Sequence, residues 1–62
     1  MNFEKYIGKN ILIRTVENEY QGILYGFNGK LRDPDWLDIW IAGEIWYVDI
    51  YSIVAFREPG LN

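Results

Sequence analysis

Cysteine and histidine are both absent from the 62-residue sequence, and basic side chains are few. Without cysteine no disulfide can form, and without either residue a structural zinc site lacks its usual ligands. The imidazole general bases and thiol nucleophiles that most enzymes use are missing as well. These absences predict a protein that is not an enzyme and that needs no metal or other cofactor.

Carboxylates are the remaining candidate metal ligands, since Asp33, Asp35 and Asp38 stand close together in the chain. This segment lacks the glycine and the terminal glutamate of a calcium loop, and Asp38 falls across the start of a predicted strand. We therefore interpret the three side chains as solvated carboxylates rather than as a calcium or magnesium site.

Positive charge is scarce, with six Lys and Arg against nine Asp and Glu and a net charge of −3. Proteins that bind nucleic acid through its phosphates usually present a basic face, so the charge balance does not favour that function. No stretch approaches the roughly 20 apolar residues of a membrane span, and residues 1–5 lack the features of a signal peptide. We expect a cytoplasmic protein with no membrane partner.

Aromatic residues, in contrast, are abundant: the chain is 50% hydrophobic and 18% aromatic, with three Trp, five Tyr and three Phe. Residues 1–62 make a single domain, and a chain of this length buries only about 60% of its unfolded surface. Oligomerisation commonly stabilises such small domains, and aromatic side chains are enriched at interfaces. The composition therefore predicts a homo-oligomer, with an aromatic-rich monomer core as the alternative.

Alternating apolar residues and turn residues predict an all-β fold. A helical turn over residues 3–7 places Phe3, Tyr6 and Ile7 on one face and ends at Gly8. Gly22 and Gly26 lie inside the second strand, where glycine permits a sharp bend. Five strands in so short a chain predict a closed or nearly closed small barrel. The predicted strands cover residues 10–16, 20–28, 36–42, 45–49 and 53–57, with a loop at 28–35 and a tight corner at 50–52.

The last three predicted strands are unusually apolar. In the third, Leu37, Ile39 and Ile41 alternate with residues that include two tryptophans, so the first set is the predicted core face. The fourth and fifth are apolar at nearly every position, a pattern typical of strands buried on both faces. A neighbouring subunit would supply the missing cover. The predicted oligomer interface comprises Trp36, Trp40, Tyr47, Val54 and Phe56.

Two segments resemble the Sm and Sm-like (LSm, Hfq-type) proteins. Residues 7–14 (IGKNILIR) and 19–28 (EYQGILYGFN) are similar to the first half of that family, where a short helix precedes an Ile-Gly-Lys strand and the next strand ends in Gly-Phe-Asp or Gly-Phe-Asn. Residues 48–56 (VDIYSIVAF) resemble its second motif, with Asp49 and Ile50 in place of an Arg-Gly pair. The resemblance implies a five-stranded, strongly bent SH3-like (Sm-like) barrel whose fifth strand pairs with the fourth strand of a neighbour in a ring.

The same resemblance suggests a nucleic-acid site in the loop after the second strand. Single-stranded nucleic acid is bound by aromatic platforms next to cations and amides. Asn28 matches the family position, whereas Asp49 replaces the arginine that clamps a base. Two hypotheses therefore stand: a ring that binds single-stranded RNA or DNA, and an assembly that binds another protein or serves as a scaffold. The candidate nucleic-acid contacts are Tyr25, Asn28, Lys30 and Arg32.

Overall fold

Antiparallel sheet makes up most of the computed structural model, which describes residues 2–30 and 33–60. A 3-10 turn (Glu4–Tyr6) precedes the first strand, and a second one (Ile50–Ser52) joins the last two. The predicted all-β class is thus confirmed. The five strands are β1 (Asn10–Thr15), β2 (Glu19–Lys30), β3 (Asp33–Ile41), β4 (Glu44–Asp49) and β5 (Ile53–Arg57).

All five strands belong to one sheet, in the order β4-β3-β2-β1-β5. The twelve-residue β2 pairs with β1 through its first part and with β3 through its second part, and Ile23 takes part in both ladders. A bulge near Tyr25 adds one residue on the β2 side. Bulges bend a strand and increase its twist, so β2 can turn from one partner to the other. The order leaves β4 and β5 as the two edges.

One face of the sheet carries the core. The predicted core residues Leu37 and Ile39 of β3 are fully buried, and Ile41 packs against them while partly exposed. At the N-terminal turn, Phe3 is buried and Tyr6 packs on the core, as the predicted apolar face requires. Ile7, the third residue predicted for that face, is exposed instead. The buried core consists of Phe3, Ile11, Ile13, Leu24, Leu37, Ile39 and Val48.

The predicted loop over residues 28–35 is wrong, because most of this segment is strand. Strand β2 runs on to Lys30 and β3 begins at Asp33, with Gly29 paired to Pro34 across a register shift. Gly29 has φ of 109°, and a Cβ there would lie 2.7 Å from the backbone nitrogen of Asp35. Glycine and proline are tolerated at such a bulge, so residues that normally mark a loop here accommodate an irregular hairpin.

The hairpin between β3 and β4 turns through Ala42 and Gly43. Both residues have positive φ, 50° and 87°, which is the arrangement of a type I′ turn. Glycine adopts this conformation freely, whereas alanine does so at a cost.

None of the described helical segments is long and apolar enough to cross a membrane.

Candidate assembly and binding surfaces

The two edge strands expose most of their apolar side chains. On β4, only Val48 is buried, and Tyr47 is 70% exposed. On β5, no residue is fully buried, and Val54 is 62% exposed. Edge strands also carry backbone groups without a partner on their outer side. Tyr47 and Val54, both predicted interface residues, therefore lie on strands that can accept a further strand.

Phe56, a third predicted interface residue, points toward the core of its own chain. It pairs with Ile13 of β1, and its ring makes edge-to-face contacts with Phe3 at 5.3 Å and Tyr6 at 5.1 Å between centroids. These contacts fasten the N-terminal turn to β5. They account for an aromatic residue at this position without a partner subunit.

Trp36 and Trp40 lie on the face of β3 that is opposite the core, as the alternation predicted. The two residues are 41% and 45% exposed. Register places Asp49 opposite Trp36 on β4 and Ile45 opposite Trp40. Since β3 is the second strand from the edge, both tryptophans stand beside a possible edge contact rather than within it.

Trp46 was not singled out from the sequence. It pairs with Ile39, which is fully buried, so it lies on the same face of the sheet as the core, although at the sheet edge it is 46% exposed. Its ring lies 6.2 Å from that of Tyr20, at an angle of 43°. The alternation of β4, with Val48 in phase with Trp46, is the signal that could have identified it.

Of the four residues predicted to contact nucleic acid, two have described side chains and two do not. Tyr25 stands at the β2 bulge and is 67% exposed. Asn28 is exposed on the same face as the tryptophans, opposite Trp36. Lys30 is the last residue of β2, and its side chain, like all of Arg32, lies outside the described part of the chain.

Asn28 is bound to a carboxylate that the sequence did not connect with it. Its Nδ2 donates to Oδ1 and Oδ2 of Asp38, at 3.0 and 3.1 Å. The pair links neighbouring strands diagonally, since Asp38 pairs with Gly26. The amide that would contact a base is thus directed at a negatively charged group of the same chain.

Asp49, which stands where the Sm-like motif has arginine, has a local structural role. Its carboxylate accepts a hydrogen bond from the backbone N–H of Tyr51 at 3.1 Å, and its carbonyl accepts one from the Ser52 hydroxyl at 2.7 Å. Side-chain oxygens at this position stabilise the first turn of a helical segment. The residue therefore shapes the corner between β4 and β5.

A shallow polar cleft opens between the β1–β2 turn and β4. Its volume is about 220 Å³, below the roughly 300 Å³ at which pockets for drug-sized ligands begin. Such a cleft does not favour a buried small-molecule site. It is lined by Thr15, Val16, Glu17, Asn18, Tyr20, Tyr47, Val48, Asp49 and Ser52.

Comparison of the chain with protein-family models, with curated proteins and with solved structures finds no match.

Proposed function

We propose that this protein is a non-catalytic assembly module, in which the β4 edge of one copy pairs with the β5 edge of the next. In this proposal the sheet is an SH3-like barrel of the Sm-like kind, and the assembly is a ring. A cytoplasmic location stays a prediction from the sequence.

One observation carries the proposal: the two strands that are apolar at nearly every position are the two edges of the sheet. Side chains such as Tyr47 and Val54 would be poorly placed in a monomer, because natural edge strands usually carry charges that block further pairing. Here β5 has its only charge at Arg57, at the end of the strand, and the charges of β4 stand at its two ends, Glu44 and Asp49.

The lengths of the two edges also suit one another. Strand β4 has six residues and β5 has five, so an antiparallel ladder could use nearly all of both. The two surfaces are different, and contacts between unlike surfaces propagate head to tail, giving a ring where the rotation closes and a filament where it does not. The Sm-like resemblance favours the ring.

Binding of single-stranded RNA by Tyr25, Asn28, Lys30 and Arg32 is not part of this proposal. The Asn28 amide is already bound to Asp38, and a carboxylate at that place would repel a phosphate backbone. A scaffold or protein-binding role is more consistent with the net charge of −3.

Light scattering coupled to size-exclusion chromatography tests the proposal. We expect a mass several times the 7.4 kDa of one chain at micromolar concentration. A protein that elutes with the mass of a single chain at that concentration would overturn the assembly function.

A further inference from the structure

We infer that the outer face of β2, β3 and β4 binds a basic segment of another protein, with an arginine or lysine side chain entering a notch around Asp38. The notch is defined by Asp38 itself, by Gly26 on one side, and by Trp36, Trp40 and Tyr47 around it. This inference does not depend on edge pairing, because the notch centres on Asp38 of β3, a strand that is not at an edge of the sheet.

The geometry of the notch follows from the strand register. Trp36, Asp38 and Trp40 alternate along β3, so their side chains project from the same face. Tyr47 is directly opposite Asp38 on β4, and side chains in such pairs have Cβ atoms about 5 Å apart. Three exposed aromatic residues are therefore the neighbours of Asp38 along and across the strands on this face.

The fourth side of the notch is open because Gly26 has no side chain. Gly26 pairs with Asp38 from β2. A Cβ atom built at Gly26 would have, among the described atoms outside its chain neighbours, only Asp38 Oδ2 within 4 Å, at 3.9 Å. A bulky residue there would cover the carboxylate. Glycine leaves it accessible from the β2 side.

Asn28 holds the Asp38 carboxylate in place without neutralising it. The single Nδ2 group spans both oxygens, at 3.0 and 3.1 Å. An ionised carboxylate offers about four lone-pair positions, so acceptor capacity remains for a second partner. The ion pairs among the described side chains are Lys9–Glu58 and Arg14–Glu19, and neither involves this face.

The charge of Asp38 selects among possible occupants. A purely apolar partner would bury a partly exposed carboxylate without a counter-charge, which is strongly unfavourable. A nucleic acid would bring phosphates toward both Asp38 and Asp49, on a chain of net charge −3. A cationic side chain suits both the carboxylate and the aromatic rings of the notch, because guanidinium and ammonium groups pair with carboxylates and also bind over aromatic rings. Arginine fits best, since its planar group can stack on an aromatic ring while one of its N–H groups donates to a lone pair that Asn28 leaves free.

Indole N–H resonances provide the test, because the three tryptophans divide between the two faces. We expect a short peptide of alternating glycine and arginine to shift the Nε1–H signals of Trp36 and Trp40 in ¹⁵N-labelled protein. Trp46, on the core face beside Tyr20, should shift much less. A peptide with glutamate in place of arginine should leave all three signals unchanged.

Asp38→Asn is the decisive variant, since it removes the charge and keeps an oxygen that can accept from Asn28. The affinity for the arginine peptide should fall about tenfold or more, as expected for loss of a charged hydrogen-bond partner. Glu17→Gln makes the same charge change in the exposed β1–β2 turn and should have little effect.

The inference is overturned if the two variants weaken binding equally, or if the peptide shifts neither Trp36 nor Trp40. It is also overturned if oligouridine shifts them more than the peptide does, or if dilution alone moves them, which would assign the face to contacts between copies.

Discussion

The backbone carbonyl of Trp40 on β3 lies against the Cα of Gly22 on β2 so closely that no Cβ atom fits between them. A Cβ at Gly22 would also lie 2.7 Å from Cγ1 of Ile41. Gly22 pairs with Ile11 on β1, so it stands where β2 passes from one partner strand to the other. The absence of a side chain at this point lets β3 cross close over the bend of β2.

Replacing Gly22 with alanine should therefore destabilise the fold. The added methyl group meets backbone on one side and a packed isoleucine on the other, and overpacking of this kind costs about 3 kcal/mol. Urea unfolding followed by tryptophan fluorescence measures the loss in the free energy of unfolding. Gly26→Ala is the matched control, since among the described atoms outside its chain neighbours its methyl group would have only Asp38 Oδ2 within 4 Å, and we expect a change below about 1 kcal/mol. Equal effects of the two substitutions would contradict the close crossing at Gly22.

Ala42 is expected to be a position where substitution improves stability. Its φ of 50° lies in the left-handed region, which costs an ordinary residue about 1 kcal/mol or more. Asparagine tolerates this conformation, and Asn-Gly is the preferred pair in a type I′ turn. Ala42→Asn should raise the free energy of unfolding by about 1 kcal/mol, and Ala42→Val should lower it, because β-branched residues are poorly accommodated at positive φ. Thermal unfolding of the two variants measures the change in stability in each case. An increase in stability for Ala42→Val would show that the turn differs from the one described.

Two lysine substitutions distinguish the two edges of the proposed assembly. Tyr47→Lys places a charge on β4 and Val54→Lys places one on β5, at side chains exposed enough for a single chain to tolerate them. Either variant alone should lose its high-mass form, since every head-to-tail contact would include one altered edge. Mixed together, the variants should form a 1:1 pair that grows no further, because each retains the edge that the other lacks. Native mass spectrometry measures this pair.

Tyr25→Lys is the control for the charge itself, because Tyr25 is about as exposed as Tyr47 but lies on β2, away from both edges. We expect this variant to assemble like the wild-type protein. Loss of assembly in Tyr25→Lys, or failure of the mixed variants to pair, would show that the contact does not join β4 to β5.

Nucleic-acid binding is expected to be absent. Filter binding with oligouridine and oligoadenine at low salt should show no retention, since the phosphate contribution is strongest there and the chain carries a net charge of −3. Retention that disappears in Arg32→Glu would instead support the alternative site formed by Tyr25, Asn28, Lys30 and Arg32. Asn28→Ala would then show whether the amide contributes despite its bond to Asp38.

The strand pattern was largely predictable because it depends on local alternation and turn residues. The fifth strand has the predicted bounds, and the corner before it is a 3-10 turn stabilised by Asp49. The alternation of β3 correctly separated Leu37 and Ile39 from Trp36 and Trp40. The strand pairing within residues 28–35 was missed because it includes a register shift with Asp35 as the extra residue, and such a shift depends on the partner strand, which local sequence does not reveal.

The candidate surfaces depend on which strands are neighbours, and this was harder to predict. The bond between Asn28 and Asp38 joins residues ten positions apart, and nothing in their spacing indicates it. The inward direction of Phe56 depends on its pairing with β1 and on the N-terminal turn. Strands β4 and β5 are the edges because β1 pairs with β5, a strand distant in the chain, and local sequence does not indicate that pairing.

Strand β5 differs from the other strands in how it is joined to the sheet. Three of the four pairings connect strands that follow one another in the chain: β1 with β2, β2 with β3, and β3 with β4. The fourth pairing connects the first strand of the chain with the last, β1 with β5. Closing that large loop costs more chain entropy than closing a hairpin. The three hairpins can therefore form early in folding, and the outer edge of β1 stays unpaired until β5 binds to it. During that interval the β5 of another copy is an equally good partner for β1, so strand exchange between copies competes with completion of the fold.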